Sequence, residues 1–280
     1  MGLKKGINAW CFPESIELEK LFHQAKEHNY DGVELNLSDD DSSPLNLSSS
    51  DEDLMKISDL AKQYQLELPT IATGLHWKYS LTANEPKIRE KGKDIVKKML
   101  EVGSIFGAKS ILVVPGVVEP SVSYDLAYER SLVALKELAE IAKDLRVSIG
   151  VENVWNKFLL SPLEMRDFID KINSDFVGAY FDVGNILQYG YPEQWIKILG
   201  ERIRAIHVKD FNCSVGNING FVPLLAGDVQ WDKVVSALEE IHYDGYITPE
   251  LMPYQNSPEQ LIKHTSHSLD EILKCNLQQV

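Results

Sequence analysis

Four side chains able to hold a cation or move a proton stand at the ends of short apolar runs. Glu152 closes SIGVE, Asp182 closes AYFD, His207 closes IRAIH and Glu250 closes YITPE. A parallel strand buried on both faces is apolar throughout, so a polar residue at its end calls for a purpose. Three carboxylates crowded together repel and raise one another's pKa values. A divalent cation removes that conflict. Three carboxylates and an imidazole suit Mn²⁺, Zn²⁺, Co²⁺ or Mg²⁺, with positions left open for water or substrate oxygens. One buried Glu is commonly a hydrogen-bonded structural carboxylate, and one buried His a satisfied core residue. Four such residues at corresponding ends of four successive runs are hard to obtain that way.

Other residues nearby suit a polar substrate. Lys209 lies two residues past His207, so in a strand it faces the same side. It would meet a substrate phosphate or oxyanion, or else pair with Asp210 at the surface. Asn185 suits a sugar hydroxyl, or a left-handed turn after Gly184. His76 and Trp77 follow another apolar run, and an aromatic face serves a carbohydrate ring or core packing equally well. Trp10 and Trp155 carry the same two readings. The segment Asn212–Gly227, with Gly216, Gly220 and Gly227, is long for a connection, and its amides could approach a phosphate. The alternative is a surface loop packed by Phe221, Leu224 and Leu225, with Asp228 capping the helix that follows.

Short β-rich runs alternate with longer helical patterns along the whole chain. Strands are expected at Lys5–Phe12, Asp31–Leu37, Leu66–Thr73, Ser110–Pro115, Val147–Glu152, Val177–Val183, Ile203–Lys209 and Gly245–Leu251. Helices are expected at Glu14–His28, Asp53–Tyr64, Glu85–Phe106, Asp125–Leu145, Pro162–Ile172, after Pro192, at Asp228–Ile241 and at Ser257–Leu273. Ser50 or Asp51 is placed to cap the second helix and Ser161 the fifth. Eight β-then-α units imply parallel pairing with right-handed crossovers and match a closed (β/α)8 TIM barrel, one catalytic domain spanning 1–280. Barrel enzymes carry their sites at the C-terminal strand ends, where the four residues fall. An open doubly wound sheet fits less well, because the turn after the first strand reads AWCFPES, without a glycine-rich nucleotide fingerprint.

Composition narrows the function classes. The 280 residues carry 28 basic and 42 acidic side chains, a net charge of −14, which argues against a nucleic-acid or membrane surface. No run approaches the ~20 apolar residues of a membrane span. Cys11, Cys213 and Cys275 are far apart and form no CxxC pair, so neither a disulfide framework nor a cysteine-rich zinc site is expected. The start, MGLKKGINAW, has no apolar stretch after its lysines, and a cytoplasmic protein is expected.

The ordered set GVEN (150–153), FDVGN (181–185), HVKD (207–210) and TPEL (248–251), with GINAW and DGVEL before it, resembles the xylose-isomerase-like TIM-barrel superfamily, in particular its sugar-phosphate isomerase/epimerase and ketose 3-epimerase group. The resemblance implies one bound metal, commonly Mn²⁺, held by Glu152, Asp182, His207 and Glu250, with the two glutamates as acid and base on opposite faces of a ketose. It implies a sugar or sugar-phosphate substrate and, often, pairing of subunits. An aldose–ketose isomerase, an inosose-type dehydratase and a non-catalytic sugar-binding barrel share the same core. The free-ketose epimerases carry a His where Asn185 stands, an Arg where Cys213 stands, and a second Glu where Trp155–Leu159 has no acid. The resemblance therefore implies a kept metal core with altered sugar-hydroxyl contacts. Endonuclease IV, of the same superfamily, needs more histidines than this chain offers.

Overall fold

The computed structural model describes residues 2–274, and Cys275 lies outside them. Eight parallel strands form one sheet: β1 (Lys4–Lys5), β2 (Leu35–Asn36), β3 (Thr70–Ala72), β4 (Ser110–Val113), β5 (Ser148–Glu152), β6 (Val177–Asp182), β7 (Ile203–Val208) and β10 (Tyr246–Pro249). Their order is β1-β10-β7-β6-β5-β4-β3-β2. The two ends meet through a parallel bridge between Asn8 and Glu34, with Ile7 and Gly32 hydrogen-bonded beside it, and this closes the sheet into a TIM barrel. A small antiparallel hairpin, β8 (Asp210–Phe211) with β9 (Phe221–Val222), lies outside the barrel within the connection after β7.

Among the described residues eight helices wrap the strands: α1 (Leu18–Glu27), α2 (Asp51–Gln63), α3 (Pro86–Phe106), α4 (Tyr124–Leu145), α5 (Pro162–Ile172), α6 (Pro192–Leu199), α7 (Trp231–Glu240) and α8 (Glu259–Lys274). Local chemistry sets their ends. Ser50 caps α2 in a capping box with Asp53, and the Ser161 hydroxyl accepts from the Glu164 amide at the start of α5. Proline opens α3, α5 and α6, where a missing N–H costs nothing. The core is a continuous layer of Val, Leu, Ile and Phe that includes Val96, Ile111, Leu138, Ile149, Phe168 and Ile206. A separate cluster joins Leu112, Val114, Tyr180 and Ala205.

Two departures from the sequence expectation trace to hydrogen bonds made by polar side chains. Strand one stops short of Phe12 because the Asn8 side-chain Oδ1 accepts from the Trp10 amide and turns the chain into a 3₁₀ helix over Ala9–Cys11. Asp228 does not cap α7, which begins only at Trp231; its carboxylate accepts instead from the Cys213 amide and ties the long connection to its own start. The strand register serves the site. Glu152 pairs with Tyr180, and His207 pairs with both Asp182 and Thr248.

Candidate metal centre at the barrel mouth

Glu152 ends β5, Asp182 ends β6, His207 is the penultimate residue of β7, and Glu250 follows β10 directly. One donor atom from each lies within 4.8 Å of the other three. Donor atoms gathered this closely are those that would hold one divalent ion among them. Two of the donor groups present a buried atom that makes no hydrogen bond: Asp182 Oδ2 and His207 Nδ1. Buried polar atoms are seldom left so, and lone pairs converging from an imidazole and three carboxylates fit a divalent ion.

Backbone and amide contacts aim the carboxylate of Asp182. Its Oδ1 accepts from the Asn185 amide at 2.8 Å, which leaves Oδ2 facing the cluster. Asn153 brackets the same peptide: its Oδ1 accepts from the Asp182 amide and its Nδ2 donates to the Asp182 carbonyl, both at 2.8 Å. Asn185 Nδ2 donates back to the Asn153 carbonyl at 3.0 Å. The left-handed turn considered for Asn185 is absent, since residues 184–186 form a right-handed 3₁₀ helix. Gly184 serves close approach instead. A Cβ there would meet the Lys209 side chain and come within 2.6 Å of its carbonyl oxygen.

His207 is oriented by a residue that the sequence reading passed over. Glu34, fully buried, receives the His207 Nε2 at 2.5 Å, together with Asn8 Nδ2 at 2.5 Å and the Tyr180 hydroxyl. With Nε2 committed to Glu34, Nδ1 lies 3.5 Å from Glu250 Oε2, and it is the nitrogen that would offer a lone pair once the ring sheds its second proton to a cation. Metal-binding histidines are commonly fixed by a carboxylate in this way. Burial works to raise Glu34 and to lower His207, but each partner's charge outweighs it. Glu34 is held below its ordinary range and His207 above its own.

Lys209 enters the cluster rather than the surface. Its ammonium bonds to Glu250 Oε2 and lies 3.1 Å from Asp182 Oδ2, close enough for an ion pair though outside hydrogen-bond alignment. The surface pairing with Asp210 is excluded, because Asp210 is buried and accepts from the Phe211, Leu225 and Val229 amides and the Trp231 indole. The carboxylates divide accordingly. Burial, then the nearby Glu250, pushes Glu152 well above the usual carboxylate range, and burial raises Asp182 as well. Burial also opposes ionisation of Glu250, but Lys209 and His207 beside it prevail and hold it low.

A cavity of about 730 Å³ opens over Glu250 and Lys209. Trp10, Trp77, Trp155 and Asn185 line it, and Trp77 is 51% exposed, so it is not core packing. Trp155 donates its indole N–H to the Asn185 carbonyl and packs on Phe211 and Phe221. His76 is placed differently. It is fully buried, neither ring nitrogen has a partner, burial lowers it to about 4, and it is not among the residues lining the cavity. Cys11 clasps the strand that carries Glu250: its sulfur contacts the Pro249 carbonyl at 3.4 Å and the Leu251 amide at 3.3 Å. Burial pushes its thiol up to about 12, so it stays protonated.

A family model described as a xylose isomerase-like TIM barrel matches residues 22–272. The chain is 25% identical over 268 residues to SgbU of Haemophilus influenzae, provisionally named an L-ribulose-5-phosphate 3-epimerase, with 90% of each chain covered. It is 22% identical over 244 residues to the L-ribulose-5-phosphate 3-epimerase UlaE of Escherichia coli O157:H7, covering 84% of this chain and 80% of the other. Among solved structures, one described as a D-tagatose 3-epimerase-like protein superposes with a TM-score of 0.83 at 20% identity, over 99% of this chain and 100% of the other. No helix among the described residues is long and apolar enough to cross a membrane.

Proposed function

This chain belongs to the xylose isomerase-like TIM barrel family, and we propose that it is a divalent-metal-dependent sugar or sugar-phosphate epimerase, inverting a carbon next to a ketone, with C3 of a ketose as the reacting centre and Mn²⁺ as the ion. The observation that carries the reading is the convergence of Glu152, Asp182, His207 and Glu250 within 4.8 Å, with Glu250 lining a cavity. The named relatives act on a ketose phosphate at the same kind of centre, which supports it.

A C–H beside a ketone is a weak acid in water, so the site must both take the proton and stabilise the charge left behind. Glu152, Asp182, His207 and Glu250 would hold a divalent ion there, which would supply Lewis-acid stabilisation of that charge. Asp182 and His207 hold their positions through the Asn153, Asn185 and Glu34 contacts. Glu152 and Glu250 are separated in the sheet by β6 and β7, so they approach the reacting carbon from different sides. One carboxylate takes the proton and the other carboxyl returns one to the opposite face. The reverse reaction exchanges their roles. General acid–base groups of this kind contribute about 10²–10⁴-fold each. Lys209 sets its positive charge where the substrate oxygens become negative, and the aromatic walls keep water from the exposed carbanion.

Solvent exchange tests the reading. Ketoses and ketose phosphates are incubated with Mn²⁺-loaded protein in D₂O and followed by NMR. Deuterium at C3 with appearance of the epimer, abolished by EDTA, is expected. Deuterium at C1 or C2 alone would make the enzyme an aldose–ketose isomerase, and loss of water a dehydratase.

A further inference from the structure

Glu250 is held differently from the other three donors. Glu152 and Asp182 are the last residues of strands five and six residues long, and His207 lies within the six residues of β7, so the sheet itself fixes their places. Glu250 falls one residue past the four of β10. The chain beyond it, Leu251–Pro253, has no regular structure, and Met252 is 83% exposed. One bond to a neighbouring strand reaches Glu250, from its amide to the Val208 carbonyl at 3.1 Å. Chain just past a strand end opens more readily than the strand, so a donor there needs further support.

That support comes from the turn after β1, which brings no donor of its own to the cluster. Cys11 ends the 3₁₀ helix there, is fully buried, and is anchored by its amide on the Asn8 carbonyl at 3.0 Å. Its sulfur accepts from the Leu251 amide at 3.3 Å, and its S–H donates to the Pro249 carbonyl at 3.4 Å. One thiol therefore bonds the residue on each side of Glu250. The Asn8 amide donates to the same Pro249 carbonyl at 3.1 Å, while the Asn8 side chain donates to Glu34, which holds His207. Asn153 treats Asp182 in a similar way, donating to and accepting from the backbone at that donor.

A thiol suits this place because it is a weak donor and a weak acceptor on a small apolar body. An apolar side chain of similar size makes neither bond. The Pro249 carbonyl would then keep Asn8, but the Leu251 amide would lose its sulfur partner, and a buried amide without a partner pulls its peptide toward another arrangement. Cys11 is not among the residues lining the cavity, so it acts on the site through the backbone alone. We infer, on the metal-centre reading above, that Cys11 is a positioning residue for Glu250: its thiol fixes the chain on both sides of that residue and so sets where the carboxylate stands among the other donors.

Two variants of the full chain separate hydrogen bonding from packing. Cys11→Ser keeps a donor and an acceptor in a smaller side chain, and Cys11→Val keeps apolar bulk with neither. Cys11→Ala, which lacks both groups and adds no bulk, repeats the second arm. Each metal-stripped protein is titrated with Mn²⁺ by calorimetry and with Co²⁺ by visible absorption, which reports the geometry of the donors around the ion. Circular dichroism confirms the fold. Cys11→Ser is expected to bind Mn²⁺ within about threefold of the parent and to keep its Co²⁺ spectrum, whereas Cys11→Val and Cys11→Ala bind at least about tenfold more weakly with a changed spectrum. A folded Val or Ala variant with parental affinity and spectrum overturns the inference, and so does a Ser variant as impaired as those two. A parent that binds neither ion takes down the metal-centre reading itself; a parent that binds both, matched by Cys11→Val, takes down the role of Cys11 alone.

Discussion

Replacing Glu34 is expected to weaken metal binding without touching any of the four donors. Glu34 Oε1 receives both His207 Nε2 and Asn8 Nδ2, while Oε2 receives the Tyr180 hydroxyl. In Glu34→Gln the carbonyl oxygen can keep the first two contacts. The new NH₂ then faces Tyr180, whose hydroxyl can turn to donate to Thr70 Oγ1, 3.2 Å away. Shape and imidazole tautomer survive and only the negative charge is lost, so the effect falls at the lower end of the 10–100-fold range for such supporting groups, about tenfold or ~1.4 kcal/mol. Glu34→Ala leaves His207 and Asn8 without an acceptor and is expected near 100-fold, ~2.8 kcal/mol. It also costs the fold about 3–5 kcal/mol, because a buried charged partner is left alone. Isothermal titration with MnCl₂ on metal-stripped protein gives the affinities, and circular dichroism confirms the fold. Glu67→Gln, an exposed carboxylate beside Lys4, is the control and is expected to bind like the parent. A folded Glu34→Gln with affinity within twofold of the parent would refute the claim that Glu34 sets the histidine.

Other perturbations reach the same site from different sides. Glu152→Gln and Glu250→Gln are each expected to cut exchange at the reacting carbon at least 10²-fold, read by NMR in D₂O, and a near-normal rate in either removes that residue from proton transfer. Gly184→Ala drives a methyl into Lys209, just past the end of β7, and is expected to lower both Mn²⁺ affinity and melting temperature, by calorimetry and thermal scan. Mn²⁺ affinity is expected to fall as the pH is lowered, because burial and Glu250 hold the Glu152 carboxyl above its ordinary range and protons compete with the ion for it; a flat profile in pH titrations speaks against Glu152 as a donor. Ser50→Ala removes the cap of α2 and is expected to cost ~1 kcal/mol in denaturant unfolding while leaving metal affinity unchanged.

The barrel and its four convergent residues were legible because buried parallel strands are apolar, so SIGVE, AYFD, IRAIH and YITPE each announced a polar end against a silent background. Glu34 gave no such signal. In DGVELNL it alternates with Val33 and Leu35 as an outward residue of a half-buried strand would, and its partner His207 lies 173 positions away. Lys209 was placed on the correct side by strand alternation, but its partners Asp182 and Glu250 come from other strands, which sequence proximity to Asp210 concealed. The glycines of 212–227 suggested an anion cradle, and only the positions of Phe211 and Asp210 reveal that they make room for packing. Helix ends followed local chemistry where Ser50, Pro162 and Pro192 set them, and drifted where Asp228 was drawn into a longer-range bond.

The central claim is that the three carboxylates and the imidazole hold one divalent ion. Metal content by elemental analysis, paired with calorimetric titration of the stripped protein and of an Asp182→Ala, His207→Ala double variant, tests it most directly. The account predicts one ion per chain in the parent and none in the variant. A parent that is empty when purified and gives no heat with Mn²⁺, Zn²⁺, Co²⁺ or Mg²⁺ would contradict it.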